Sequence, residues 1–153
     1  MKTLTHDTIQ CRWLIRRDMD RVLELDRKCF RDYWSEEDHL KLLRNRNCIG
    51  TVFGERILGD DEVKGFMHYE LAKDHLHVER FCVDPDYRRM GLGRSAMDRL
   101  KNKMDYMKRH FITVDVCETN TDAHLFLSAQ EFKCESVLHY PGERDTYHFV
   151  WRL

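Results

Sequence analysis

The run Val83-Asp84-Pro85-Asp86-Tyr87-Arg88-Arg89-Met90-Gly91-Leu92-Gly93-Arg94-Ser95 reads as a strand end, a loop and a helix start. Gly91 and Gly93 permit positive φ and close approach, so that successive amide N–H groups at the helix start converge on a phosphate with the helix dipole assisting. Arg88, Arg89 and Arg94 add positive charge there. An isolated Gly-x-Gly is usually an ordinary turn, but Arg88 and the strand-to-helix setting favour a phosphate-bearing ligand. Gly91-Leu92-Gly93-Arg94-Ser95-Ala96 also fits the dinucleotide fingerprint G-x-G-x-x-G/A, with Asp115 near the distance of its ribose-binding acid. Against that reading, the first glycine of a dinucleotide site follows its strand almost directly. Here residues 84–90 intervene, and too little chain remains for a doubly wound sheet.

Other residues invite chemistry less strongly. His75, His77 and Glu79 share one face of an alternating strand, as a metal cluster would, yet strand faces often carry such groups solvated, and no metal is expected. Cys82 and Cys117 flank the ligand slot without an adjacent base, so no cysteine nucleophile is expected. Arg94, Arg99, Lys101, Lys103, Lys108 and Arg109 stud one helix, but Asp98 and Asp105 interrupt them and no aromatic platform is interleaved. A solvated surface is the expectation there, with no nucleic-acid partner.

The elements that must position these residues follow from periodicity. Residues 9–15 read as an opening strand, and Asp18 as the N-cap of a helix whose Met19, Val22, Leu23, Cys29 and Phe30 recur at helical spacing. Ser35 opens a second helix with Glu36, Glu37 and Asp38 in its first turn, where acidic groups complement the dipole. Strands are expected over 48–53, 63–71 and His75–Val83, then one long helix over 91–110, a strand over Phe111–Cys117, a helix over 121–130, and closing strands over 132–139 and 146–153. The order is β-α-α-β-β-β-α-β-α-β-β. It describes an α/β (α+β) fold with a mixed, mostly antiparallel sheet of about seven strands flanked by about four helices.

Composition sets the boundaries. At 153 residues and 42% apolar, with two prolines and no linker or repeat, residues 1–153 form one domain able to bury a core. Lys plus Arg number 26 against 27 for Asp plus Glu, which favours neither a nucleic-acid-coating surface nor an acidic tail. The six cysteines form no CxxC pair and read as buried thiols. Residues 1–10 contain no apolar signal region, and no window approaches a membrane span, so a cytoplasmic protein without a membrane partner is expected.

With Arg88, Gly91 and Gly93 in an Arg/Gln-x-x-Gly-x-Gly/Ala signature after a strand and before a helix, the chain resembles the GNAT acetyltransferases over nearly its whole length. It looks most like the bacterial ribosomal-protein alanine N-acetyltransferases, through Trp34-Ser35-Glu36, Val83-Asp84-Pro85-Asp86-Tyr87, Asn120 and Tyr140-Pro141. The resemblance implies acetyl-CoA as cosubstrate. Phe81, Cys82 and Val83 would bind pantetheine and thioester through backbone groups. Arg88, Arg89, Met90, Gly91, Leu92, Gly93, Arg94 and Ser95 would hold the cofactor, residues 89–94 cradling its pyrophosphate, and Asn120 would reach the cofactor from the next helix. The acceptor is an amine, either a protein N-terminus or a small molecule.

The chain departs from this pattern at three points. The family's glutamate base, five residues before the asparagine, is Asp115, with Glu79 and His77 in reserve for that role; its tyrosine acid, seven after, is Leu127; its Gly-Phe pair is Glu131-Phe132. An attacking amine must lose a proton, the oxyanion needs a donor, and a thiolate must leave. Only the last step uses the tyrosine. A thiol pKa of about 8.5 makes that group a tolerable leaving group unaided, so slow turnover or a substitute donor is expected, Tyr140 first and Ser128 second. A different class of function, a silent acyl-CoA-binding sensor or assembly module, is the alternative.

Overall fold

The computed structural model describes residues 8–153. The signal-region reading therefore falls largely outside the described residues. Seven strands form one sheet in the order β1-β2-β3-β4-β5-β7-β6. They are β1 (Ile9–Trp13), β2 (Cys48–Glu55), β3 (Gly65–Leu71), β4 (His75–Val83), β5 (Phe111–Cys117), β6 (Lys133–Leu138) and β7 (Thr146–Arg152). Every neighbouring pair is antiparallel except β4 with β5. Parallel neighbours need a crossover, and the helical segment between β4 and β5 supplies it. One parallel pair in seven strands rules out the doubly wound dinucleotide fold.

Among the described residues five α-helices pack on this sheet: α1 (Met19–Cys29), α2 (Glu36–Leu43), α3 (Leu92–Asn102), the short α4 (Met104–Met107) and α5 (Thr121–Ala129). Strand alternation divides the interior in two. Phe53 and Met67 join Leu92, Met97 and Leu100 of α3 and Leu127 of α5, whereas their neighbours Val52 and Phe66 join Val22 and Leu25 of α1.

The long helix expected over 91–110 is broken. The amide of Lys103 turns back to Leu100 at 3.2 Å, tightening the helix before α4, and Lys108 ends that turn at φ 55. Its basic face is also less solvated than expected: Lys101 Nζ donates to the Gln130 carbonyl (2.7 Å), Arg109 Nε to that of Ala72 (2.6 Å), and Arg99 to that of Ile9. These cations tie the helix to neighbouring segments.

Two further expectations are corrected. Asp18 occupies the N-cap position of α1 but its side chain makes no cap there; fully buried, its carboxylate takes both terminal Arg12 guanidinium nitrogens at 2.7 Å and, closing the preceding 3-10 turn, the Ile15 amide at 2.8 Å. Ser35, by contrast, caps α2 through a reciprocal box with Asp38. Nor are the cysteines six buried thiols. Cys29 at the end of α1 is disulfide-bonded to Cys82 of β4, Cα atoms 6.4 Å apart, while Cys11 and Cys48 are half-buried and Cys117 and Cys134 exposed. That pairing joins residues 53 apart in sequence, which no local spacing announces.

Candidate active site

The β4–β5 ladder runs from His75 opposite Phe111 to Val78 opposite Val114 and ends there. Beyond it β4 stays paired with β3 as far as Val83, and β5 with β7 as far as Cys117, so the two strands part and leave facing backbone edges. A bulge marks the parting. His68 pairs with Arg80 and Tyr69 with Val78, which leaves Glu79 without a partner on β3. Past the bulge Phe81 faces α3 and α5, stacked between Phe53 (6.0 Å) and Phe126 (5.6 Å), and Cys82 faces α1.

The loop after β4 is pinned from below. Asp84, 1% exposed, accepts Arg21 Nη2 at 2.8 Å and the Asp86 amide at 3.0 Å, while Arg21 Nε reaches the Val63 carbonyl at 2.8 Å. Burial alone would raise the Asp84 pKa, but the Asp86 amide, Arg21 and Lys28 lower it. Arg89 (φ 66) and Gly91 (φ 88) then take left-handed conformations that turn the chain into α3. Gly93 lies within the first helical turn, so the expectation of positive φ there is not met; its lack of a side chain serves close approach, since a Cβ would stand 3.3 Å from the Phe126 ring. Of the other expected phosphate residues, Leu92 and Ser95 are buried and offer backbone alone, whereas Arg88, Arg89 and Arg94 are exposed. The Arg88 guanidinium donates to the Val83 carbonyl (3.3 Å) and lies 3.7 Å from Asp122. Asn120 caps α5 through its side-chain oxygen on the Ala123 amide (3.2 Å).

Asp115 stands on β5 where the ladder ends, half in solvent. Its Oδ1 meets Nδ1 of His148, its partner on β7, at 2.6 Å, and its Oδ2 lies 3.8 Å from His77 Nε2. His77 Nδ1 in turn meets Thr113 Oγ1 at 2.6 Å. Burial lowers the His77 pKa against the opposing pull of Asp115. Glu79 has a raised pKa, through burial first and then a hydrogen bond with Glu70. His75, His77 and Glu79 do not converge: His75 pairs with Asp74 and stacks on Phe111, and among the described residues no group of three ligating side chains could hold a metal.

Tyr140, expected as the acid, follows β6 with half its surface exposed, and among the described residues no hydrogen bond joins its hydroxyl to Asp115. Ser128 is exposed on α5, and Leu127 is buried in the core. Sequence reasoning missed Thr113 and His148. The register of β5 against β4 sets Thr113 beside His77, and that of β7 against β5 sets His148 beside Asp115, a signal that spacing along one strand does not carry.

Residues 19–132 match the sequence model of the Acetyltransferase (GNAT) family. No curated protein matches. Among solved structures, the ribosomal-protein-S18-alanine N-acetyltransferase from Escherichia coli superposes with a TM-score of 0.80 at 17% identity, covering 94% of this chain and 93% of that one. Ard1 from Thermoplasma volcanium gives 0.82 at 19% identity over 95% and 98% of the two chains. Arabidopsis thaliana NAA60 in complex with a bisubstrate analogue gives 0.79 at 18% over 95% and 99%. These likenesses establish a shared fold.

Proposed function

The chain belongs to the Acetyltransferase (GNAT) family, and from that premise we propose that it moves an acetyl group from acetyl-CoA directly to an amine. The observation that carries this reading is the parting of β4 from β5 beside a left-handed turn into α3, which sets a slot for an extended thiol arm next to amides suited to a pyrophosphate. Phe81, Cys82 and Val83 line the slot, residues 88–95 hold the phosphates, and the Asn120 amide group reaches the cofactor from α5. Asp115 draws the proton from the amine, directly or through water; a backbone N–H near Cys82 donates to the oxyanion; Tyr140 serves the departing sulfur. No covalent enzyme intermediate is needed.

A protein N-terminal amine is the favoured acceptor, because the structural likenesses include an enzyme named for a ribosomal-protein alanine. A cytoplasmic setting accompanies that acceptor, and no helix among the described residues is long and apolar enough to cross a membrane. The first test is thermal unfolding with acetyl-CoA, coenzyme A or NAD. A ligand at 100 times its dissociation constant adds about 2.7 kcal/mol, a rise of several degrees. Acetyl-CoA should raise the midpoint and NAD should not; no rise with acetyl-CoA would sink the reading. Asp115→Ala should then abolish acetylation across an amine panel. Binding without turnover of any amine would instead support the acyl-CoA-binding sensor or assembly module.

A further inference from the structure

His77 Nε2 and Asp115 Oδ2 face each other across 3.8 Å, too far for a hydrogen bond between them. Both side chains are anchored from behind, His77 by Thr113 at 2.6 Å and Asp115 by His148 at 2.6 Å. A single nitrogen at the ordinary hydrogen-bond distance of about 2.9 Å from each fills that gap. An ammonium group has N–H bonds enough to donate to both, and its charge complements the Asp115 carboxylate. The gap lies where the β4–β5 ladder stops, at the apex of the slot assigned above to the thioester.

We propose that His77 and Asp115 are the seat of the acceptor's ammonium group, with His77 accepting the proton, Asp115 holding the charge, and Thr113 and His148 acting as positioning residues. The inference rests on the acetyl-transfer reading and refines one step of it: His77 is the immediate acceptor of the proton that the scheme above assigned to Asp115, and the Asp115 carboxylate balances the imidazolium so formed. With Thr113 Oγ1 accepting from Nδ1–H, the lone pair of His77 is left on Nε2, facing the gap. One N–H bond of the ammonium breaks, and its proton forms an N–H bond at Nε2. The freed nitrogen pair forms the C–N bond to the acetyl carbon, the C–S bond breaks, and its electrons leave on sulfur. The thiolate takes the Tyr140 hydroxyl proton, the nitrogen's second proton replaces it through solvent, and His77 returns its own proton to solvent.

The charged surroundings suit this assignment. His77 is faced by Asp115 from β5, Glu70 from β3, His148 from β7 and His75 from its own strand. Burial keeps its ring neutral near pH 7, and the neighbouring carboxylate stabilises the imidazolium once it forms. An aspartate one methylene shorter than glutamate reaches less far, and His77 covers the difference.

Two measurements decide it. In histidine-detected NMR of the free protein, titration with methylammonium should move the His77 ring signals in the wild type and not in Asp115→Asn. Unmoved His77 signals at saturating methylammonium would overturn the proposal, whether or not the protein turns over or binds acetyl-CoA. In kinetics with acetyl-CoA and a peptide bearing a free N-terminal alanine, His77→Gln should lower kcat by about 10²–10⁴-fold. It should also remove the acidic limb of the pH profile and leave the midpoint shift with acetyl-CoA intact. His148→Ala should lower kcat, and His148→Asn, which keeps an N–H near the Nδ1 position, should restore it. A His77→Gln enzyme with wild-type rate and pH profile would equally overturn the assignment. Failure of acetyl-CoA to bind in the thermal test is the separate failure of the underlying reading.

Discussion

His39 Nδ1 lies 2.9 Å from His68 Nε2, with both rings fully buried between α2 and β3. His39 Nε2 stands 3.0 Å from Asp26, an ion-pair distance without hydrogen-bond alignment, and the same carboxylate takes two contacts from Arg80 and the Trp34 amide. Burial would raise the Asp26 pKa, but His39, Arg80 and the Trp34 amide bring it to about 2. For His68 burial dominates and lowers the pKa to about 3. Between that value and its unfolded value of about 6.5, His68 is protonated in the unfolded chain and neutral in the folded one. Stability is therefore complete above pH 6.5 and falls as the pH drops, by about 1.4 kcal/mol per unit from this residue. Urea denaturation at pH 7, 6 and 5 should show that slope, and His68→Leu should flatten it. An unchanged slope in the variant would place the acid sensitivity elsewhere.

The left-handed positions make a paired prediction. Gly91 at φ 88 costs nothing as glycine, whereas Gly91→Ala should destabilise by about 1–2 kcal/mol and weaken acetyl-CoA binding. Glu131 bears φ 70 with a full side chain, in the position where the family's pattern has glycine. Glu131→Gly should raise the thermal midpoint slightly, because relief of strain exceeds the extra chain entropy. Calorimetry on the two variants checks both signs.

The Cys29–Cys82 bond closes a loop of 53 residues, for which chain entropy suggests roughly 4 kcal/mol and measured cases about 2–4. Dithiothreitol should lower the urea midpoint of the wild type. Cys29→Ser should be equally stable with and without reductant. Equal midpoints for the wild type in both conditions would mean that the pair stays as thiols, the state expected of a cytoplasmic protein.

Leu127 is 3% exposed in the core cluster that holds Val116 and Phe132. Leu127→Tyr should cost about 1–3 kcal/mol from overpacking while raising kcat by supplying the leaving thiolate with a donor. A denaturation curve and a steady-state assay on one preparation separate the two effects. Slower or unchanged turnover would mean that another group, Tyr140 in the proposed scheme, already serves the sulfur.

The strands β4 and β5 were legible to the residue because apolar alternation runs through both, turn residues flank β4, and β5 lies between a basic helix end and Glu118-Thr119-Asn120. The α3 break was not, since Met104 and Met107 keep the helical spacing of Met97 and Leu100 across Lys103. Asp18 carried the expected side chain for a cap, but its use depended on Arg12 reaching it from β1. Asp115 was identified from a motif. Its neighbour His148 emerges only when β7, 33 residues later, is laid against β5. Chemistry that sits on one segment can be read along the chain, whereas chemistry assembled across strands waits for the register.

The bulge at Glu79 makes β4 two reading frames joined in one strand. Upstream, Leu76 and Val78 address the α3 layer; downstream, Phe81 does, and Arg80 and Cys82 address α1. Drawing Glu79 into the ladder with every residue kept would thus act like a frameshift written in space, exchanging the inward and outward roles of residues on one side of the splice, whereas its deletion would restore plain alternation and leave each neighbour on its own face. Replacement at that position is a local event. Loss of the bulge with all nine residues retained would exchange an aromatic with a guanidinium between layers, which is why the unpaired state of this position constrains the chain more tightly than the identity of Glu79.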